Sequence, residues 1–144
     1  MVEITQIREI DETLRGELCR VLGELVEGVQ IDPEQLERMV KAPNIALLAA
    51  RKEGRLAGIT TVAWYDTLTA RRGWVEDVVV CREMRGLGLG RQLVRRAIEW
   101  AREEGVETLS LTSAPHRKAA RQLYTEEGFD LINSGLFRLI PQEK

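Results

Sequence analysis

This sequence offers little with which to build a metal centre or a thiol- or histidine-based site. It has only two cysteines, Cys19 and Cys81, far apart and outside any CxxC or Cys/His cluster of metal-binding spacing, so both are expected to be free thiols. The single histidine, His116, excludes a multi-histidine metal site and leaves few options for a Ser/His or Cys/His catalytic pair. No metal is expected. Net charge is also scarce: 21 basic against 23 acidic residues leave −2, which gives no global electrostatic case for nucleic acid or for an acidic membrane. No apolar run approaches the length needed to span a bilayer, and the opening MVEITQIREIDE lacks the basic and apolar regions of a signal peptide. The expectation is a soluble, cytoplasmic protein.

The chain does carry enough apolar residues, 44% of 144, for one compact core, and a single domain over residues 1–144 is expected. Residues 2 to 8 alternate loosely as a first strand. Asp11 and Thr13 offer N-cap oxygens to a helix whose stripe, Leu14, Leu18, Val21, Leu22 and Leu25, stops at Gly28. Asp32 followed by Pro33 starts a second, short helix that ends before Pro43. Asn44 to Arg51 and Leu56 to Tyr65, separated by KEGR, read as an antiparallel hairpin, with Val62 and Trp64 on one face. A polar stretch from Asp66 to Gly73 precedes WVEDVVV, whose three consecutive valines favour a buried central strand. Beyond a glycine-rich loop, Leu89, Leu93, Val94, Ala97 and Ala101 form one helical stripe closed by Gly105. Thr108 to Thr112 alternates as a strand, and Ala120, Leu123 and Tyr124 mark a last helix ending at Gly128. Two short apolar runs follow, Phe129 to Ile132 and Leu136 to Ile140. The order β-α-α-β-β-β-α-β-α-β-β predicts an α/β (α+β) fold with a mixed sheet and helices on both faces.

The loop is the most informative segment. In MRGLGLGRQLV, Gly86, Gly88 and Gly90 sit where the chain must turn from the valine strand into a helix, which aims unpaired backbone N–H groups at one spot. A helix N-terminus adds about half a positive charge there, and charge-assisted hydrogen bonds of about 1.5 to 3 kcal/mol each suit the spot to phosphate. Residues 82 to 102 carry six arginines (82, 85, 91, 95, 96 and 102) against Glu83 and Glu99, a local charge of 6 − 2 = +4. The dinucleotide fingerprint and the P-loop both need a different spacing or ending.

What Arg85-Gly86-Leu87-Gly88-Leu89-Gly90 does resemble is the Gln/Arg-x-x-Gly-x-Gly/Ala signature of the GNAT acetyltransferases. The later AARQLYTEEGF is similar to that family's Ala-x-x-Leu-Tyr-x-x-x-Gly-Phe, with Ala120, Leu123, Tyr124, Gly128 and Phe129 in register. The resemblance is sharp over residues 74 to 133 and only topological before them. One position departs: Arg117, preceded by His116, stands where many members have asparagine. The resemblance implies a GNAT-type, largely antiparallel sheet and acetyl-CoA as cosubstrate. The backbone of Arg85, Gly86, Leu87, Gly88, Leu89 and Gly90, flanked by Arg91, would hold the pyrophosphate. The main chain of Val78 and Val80 would pair with the pantetheine arm, in a gap where this strand splays from the strand at Thr108 to Thr112.

Acetyl transfer from a thioester to an amine needs a neutral amine and a proton for the leaving thiolate. At pH 7 a lysine-like amine costs about 4 to 5 kcal/mol to deprotonate and an α-amino group only about 1, so a base matters more for the first. The resemblance places Tyr124 as the acid near the sulfur; read from spacing alone it is a core aromatic. Glu76 and Asp77 lie where several members keep an acidic base. Only one of two successive strand residues can face the acceptor, and Glu76 is favoured because it shares a face with Val78 and Val80 unless a bulge shifts the register. A structural carboxylate is the plainer alternative.

Other candidates have plainer readings. His116 reads as a solvent-facing helix-start residue, and Cys81 as a buried, inert thiol. Trp64, Tyr65 and Asp66 could wall the acceptor site, while Glu24, Glu27 and Asp32 could attract a cationic acceptor or simply face solvent. The leading expectation is therefore an N-acetyltransferase in which an amine, carried by a small molecule or a peptide, attacks acetyl-CoA directly in a ternary complex. The alternative is a non-catalytic CoA or acyl-CoA sensor or interaction module of the same fold. A nucleic-acid partner is disfavoured, since phosphate binding already accounts for the arginines and no aromatics interleave with them. The Leu136 to Ile140 strand could pair across a homodimer.

Overall fold

A computed structural model describes residues 2–142. Five strands hydrogen-bond in chain order: β1 (Val2–Gln6), β2 (Ile45–Lys52), β3 (Arg55–Asp66), β4 (Arg71–Val80) and β5 (Thr108–Ser110). The first four are mutually antiparallel, and β5 joins β4 in parallel. Helices α1 (Glu12–Leu22) and α2 (Pro33–Lys41) cover one face, and α3 (Leu89–Glu103) covers the other, followed after β5 by α4 (Lys118–Glu126). The mixed α/β class and the helices on both faces are as expected.

Local chemistry sets the helix starts. The Asp11 carboxylate accepts from the Leu14 N–H at 2.7 Å and Asp32 accepts from the Glu34 N–H at 3.0 Å, while Pro33 occupies the first turn of α2, where its missing N–H costs nothing. Helix α1 ends at Leu22, short of the expected Gly28. Gly23 follows at once, and the chain goes on as tight turns, with Leu25 and Val26 both donating to the Leu22 carbonyl. The face under α1 and α2 is filled by Leu14, Leu18, Val21, Leu36, Leu47, Ile59 and Val79. The opposite face packs Leu48, Val62, Val75, Leu93, Ala97 and Trp100. Leu93 is fully buried, and truncating such a leucine to alanine costs about 2 to 5 kcal/mol.

Three expectations are corrected. Half of the stretch from Asp66 to Gly73 is strand, because residues 67–70 alone make the turn: the Thr67 hydroxyl accepts from the Ala70 N–H at 3.1 Å and the Thr67 N–H donates to the Ala70 carbonyl at 2.8 Å. The added strand residues are held by polar contacts, since Arg71 stacks 3.7 Å over the Trp64 ring and bonds Asp66 at 2.8 Å. Strand β5 stops at Ser110, not Thr112. The runs Phe129 to Ile132 and Leu136 to Ile140 form no strand; they bond to no neighbouring strand, and Leu131 and Phe137 are 81% and 98% exposed.

Candidate active site

The site is organised by what β4 does after Trp74. Its pairing with β5 covers only Arg72, Gly73 and Trp74. Gly73 makes that contact close, since a Cβ there would lie 3.0 Å from both Leu109 and Val106. Beyond it the two strands diverge, and residues 75 to 80 have β3 on one side and no strand on the other. The expected gap beside Val78 and Val80 is therefore present. The Val80 carbonyl in it accepts from Arg85 Nε at 3.2 Å, so the Arg85 side chain lies over the end of the opening.

At that end a single 3-10 turn (Arg82–Met84) leads into the glycine loop. Gly86 and Gly88 have φ of +84° and +78°, the left-handed region that glycine enters without strain. Gly88 caps α3, and the first N–H to find a helical partner is that of Gln92, bonded to the Gly88 carbonyl at 3.1 Å. Among the described residues the N–H groups of residues 86 to 91 donate to no protein acceptor. The first turn of α3 has no acidic residue, and Gly86, Leu87 and Gly88 are exposed. Such a row of free donors at a helix N-terminus fits a pyrophosphate.

The arginines are less available than their count suggests. Arg91 holds Glu126 and Glu127, each at 2.5 Å, and Arg95 holds Glu127 at 2.6 Å, although the Glu127 side chain is only 8% exposed. Arg95, then Arg91, keeps the Glu127 carboxyl below the usual carboxylate range. Arg96 pairs with Glu99 and Glu103. The local +4 is thus largely consumed by carboxylates that a count over residues 82 to 102 omits, with Arg91 serving first as a clamp between α3 and α4. Glu127 is the residue that sequence reasoning missed. Its only signal was a pair of glutamates one turn after Tyr124, ordinary for a solvated helix end.

That clamp positions α4. Leu123 and Val80 both lie 3.9 Å from where a Cβ on Gly90 would be, which brings α4 against the start of α3 and the end of β4. Tyr124 follows Leu123 and packs edge-to-face on Phe129, with ring centroids 6.1 Å apart at 70°. Burial pushes its phenol pKa up, with Arg117 opposing, so the group is a neutral donor near neutral pH. Its hydroxyl has no hydrogen-bond partner among the described residues.

On the strand itself the register changes. Thr61 faces Glu76 and Ile59 faces Val79, so Asp77 and Val78 together oppose Thr60, which is a β-bulge. The fully buried Thr60 hydroxyl donates to the Glu76 carbonyl at 2.9 Å and fixes it. Asp77 sits at φ +52°, a left-handed conformation that aspartate tolerates better than most residues. Two consequences correct the simple alternation. Val78 and Val80 pack toward α3, whereas Glu76, opposite Thr61, lies on the α1–α2 face. Asp77 reaches that same face, where it lines a cavity of about 260 Å³ with Thr61, Ile59 and Leu47. Both carboxylates therefore face the same side, and neither has a hydrogen-bond or ion-pair partner among the described residues.

The remaining candidates separate. Cys81 is buried with Arg20 at 3.4 Å from its sulfur, and burial pushes its thiol pKa up, against the effect of Arg20. His116 is exposed in the turn before α4. Trp64 packs on the α3 face and donates to Glu104 at 3.1 Å, away from the cavity. Glu24 accepts from the Arg82 N–H at 2.8 Å, tying the end of α1 to the glycine loop, while Asp32 lines the cavity.

Comparison with known proteins bears on the family and the fold. The family model described as "Acetyltransferase (GNAT) family" matches residues 9–129. The uncharacterized N-acetyltransferase YhdJ of Bacillus subtilis is 38% identical over 143 residues, spanning 96% of this chain and 98% of that protein. The crystal structure of a transcriptional regulator from Bacillus halodurans C-125 superposes with a TM-score of 0.83 at 26% identity, over 97% of this chain and all of that one. The aminoglycoside N-acetyltransferase AAC(6')-Iy, solved in complex with CoA, shares the fold at a TM-score of 0.81 and 17% identity, over 99% of this chain and 96% of its own.

Proposed function

The chain belongs to the GNAT acetyltransferase family and is an N-acetyltransferase, and on that premise we propose that, as one domain, it moves an acetyl group from acetyl-CoA to a primary amine by direct attack within a ternary complex. The observation that carries this reading is the position of β4 between two openings: a backbone-lined gap that ends at free N–H groups, and a cavity on the α1–α2 face that Asp77 lines, the face on which Glu76 also lies. Donor and acceptor can approach from opposite sides of one strand. When bound, acetyl-CoA supplies a thioester carbonyl.

The N–H groups of residues 86 to 91 would hold the pyrophosphate, with Arg85 released from the Val80 carbonyl to join them and Arg91 steadying the loop through α4. The free main chain of Val78 and Val80 would pair with the pantetheine amides. Glu76, or a water it orients, takes a proton from the acceptor ammonium. The neutral amine would then attack the thioester carbonyl and the C–S bond would break; the Tyr124 hydroxyl would give its proton to the departing thiolate, and the resulting phenolate would take the proton that the acetylated nitrogen must lose. General acid and base steps of this kind contribute about 10² to 10⁴-fold each.

The ion pairs along α3 leave that helix without the free cationic stripe that a nucleic-acid backbone needs, which favours the enzyme reading over a DNA-binding one. No helix of the described residues is long and apolar enough to cross a membrane. The exposed Leu136, Phe137, Leu139 and Ile140 would be covered in a homodimer, which sedimentation would detect.

The test is a thermal-unfolding titration with CoA and acetyl-CoA on the wild type and on Gly88→Glu, followed by an amine panel with Tyr124→Phe as control. Ligand at a hundred times its Kd adds about 2.7 kcal/mol, a rise on the order of 5 °C or more. A shift lost in the folded variant, with acetylation of an amine, supports the proposal. A shift without turnover of any amine points to the sensor module, and no shift overturns the cofactor assignment.

A further inference from the structure

We propose that Glu24 is a positioning residue for the cosubstrate: from just past α1 it caps the turn that carries the chain into the glycine loop, and so holds the loop N–H groups where they meet the pyrophosphate. This rests on the acetyl-CoA reading above and adds to it a residue from outside the loop. A Glu24 carboxylate oxygen accepts from the Arg82 N–H at 2.8 Å, across 58 positions of sequence. Arg82 opens the 3-10 turn, and Cys81, the residue before it, makes no side-chain cap of its own. Glu24 supplies that cap. Among the described residues no other side chain bonds the main chain of residues 82 to 88. The Glu24 side chain is only 21% exposed and does not line the cavity on the α1–α2 face, so it is not placed to meet the acceptor.

The turn's own bonds fix its shape but not its place. The Met84 N–H donates to the Cys81 carbonyl at 2.9 Å and the Arg85 N–H to the Arg82 carbonyl at 3.3 Å, both within the turn. Arg55 and Glu83 pair at 3.3 Å with more than half of each side chain exposed, a contact of little strength in water. Met84 packs partly against the core under α1. The polar anchoring falls on one step, Cys81 to Arg82. Cys81 is buried and its N–H donates to the Ala57 carbonyl at 2.7 Å, while Arg20 reaches its sulfur at 3.4 Å and the Leu56 carbonyl at 2.9 Å. Glu24, four residues after Arg20, takes the next N–H. A main-chain phosphate site binds in proportion to the fraction of molecules whose loop is in place, because the apparent Kd is the intrinsic one divided by that fraction. Removing the anchor lowers the fraction, and a hydrogen bond to a charged acceptor is worth about tenfold or more in an equilibrium constant. Simple electrostatics predicts the opposite: a carboxylate near a phosphate site weakens binding, so its removal would tighten it.

The experiment measures CoA binding by calorimetry, and thermal unfolding without ligand, for the wild type, Glu24→Ala, Glu24→Gln and Glu24→Asp. Glutamine keeps an oxygen at the same reach without the charge, and aspartate keeps the charge but withdraws it by one methylene. The expected result is a Kd for CoA raised about tenfold in Glu24→Ala and Glu24→Asp, and within about threefold of the wild type in Glu24→Gln. With an amine that is turned over, KM for acetyl-CoA should follow the same order while kcat stays near the wild-type value. Should Glu24→Ala fail to fold, the comparison of Glu24→Asp with Glu24→Gln decides alike. A lowered unfolding temperature with unchanged CoA affinity would make Glu24 a structural tie and overturn the inference. Equal or tighter CoA binding in Glu24→Ala, or equal weakening in Glu24→Ala and Glu24→Gln, would overturn it as well. Each of these results leaves the acetyl-CoA assignment standing, whereas failure of the wild type itself to bind CoA would remove both.

Discussion

The two sides of β4 solve their binding problems with different materials. On the β5 side the site is made of main chain: an unpaired strand edge, left-handed glycines and the free N–H groups at the start of α3. On the α1–α2 side it is made of side chains, gathered from two helices and three strands around a cavity that two carboxylates enter. A main-chain site constrains the few residues that allow its backbone, and those constraints lie together in sequence. A side-chain site constrains shape and charge, and many dispersed combinations meet it.

This contrast can be broken experimentally, and the largest effect is expected on the main-chain side. Gly88→Glu forces a side chain into φ of +78° and puts a carboxylate among the phosphate donors. Loss of two charge-assisted bonds, about 1.5 to 3 kcal/mol each, predicts CoA affinity reduced by about 10² to 10⁴-fold, measured by calorimetry. The fold should survive, because nothing lies within 4 Å of a Cβ there. Tyr124→Phe should lower kcat about 100-fold and barely change KM for acetyl-CoA. Because the phenol pKa is raised, the wild-type rate should show no loss assignable to Tyr124 ionisation below about pH 10, and a pH profile checks this.

On the side-chain face, Thr60→Val removes the donor that holds the bulge and leaves a carbonyl unsatisfied, at a cost of about 1 to 3 kcal/mol in denaturant unfolding. Acceptor KM should rise in that variant while CoA affinity holds. The smallest effect is expected at the clamp between α3 and α4. The folded-state pKa of Glu127 is depressed, so its stabilisation is present above the unfolded value near 4.3 and is lost as pH falls through the folded one. Glu127→Gln should therefore flatten the loss of stability below about pH 4, with only a few-fold loss of activity at neutral pH.

Much of the fold was legible in the sequence, and the reasons are local. The caps Asp11 and Asp32, the β2–β3 hairpin and the turn into α3 each rest on residues within a few positions of the feature they create. The bulge was not legible, because its cause is Thr60 acting across the sheet on Glu76, and threonine in a strand is ordinary. Alternation alone therefore put Glu76 on the face of Val78 and Val80, when it lies on the other. The neutralised arginines escaped for the same reason: Arg91 and Glu127 meet through the docking of α4, not through sequence proximity. At the C-terminus the apolar runs from Phe129 looked like strands by composition, but composition does not supply a pairing partner. The glycine turn into α3 was read directly. The cavity was not, since Leu18, Leu36, Leu47 and Ile59 looked like core residues, which in part they also are.

The divergence of β4 from β5 has a cost outside catalysis. An unpaired, valine-rich edge is a template on which another extended chain can add itself, and residues 75 to 80 present one in the middle of the sheet. This edge carries a bulge of its own at Asp77 and Val78, yet the β5 side of residues 75 to 80 still has no strand to pair with. The cosubstrate would then also act as a cap against self-association. Purified without it, and kept concentrated and warm, the protein should turn cloudy sooner than the same protein stored with CoA.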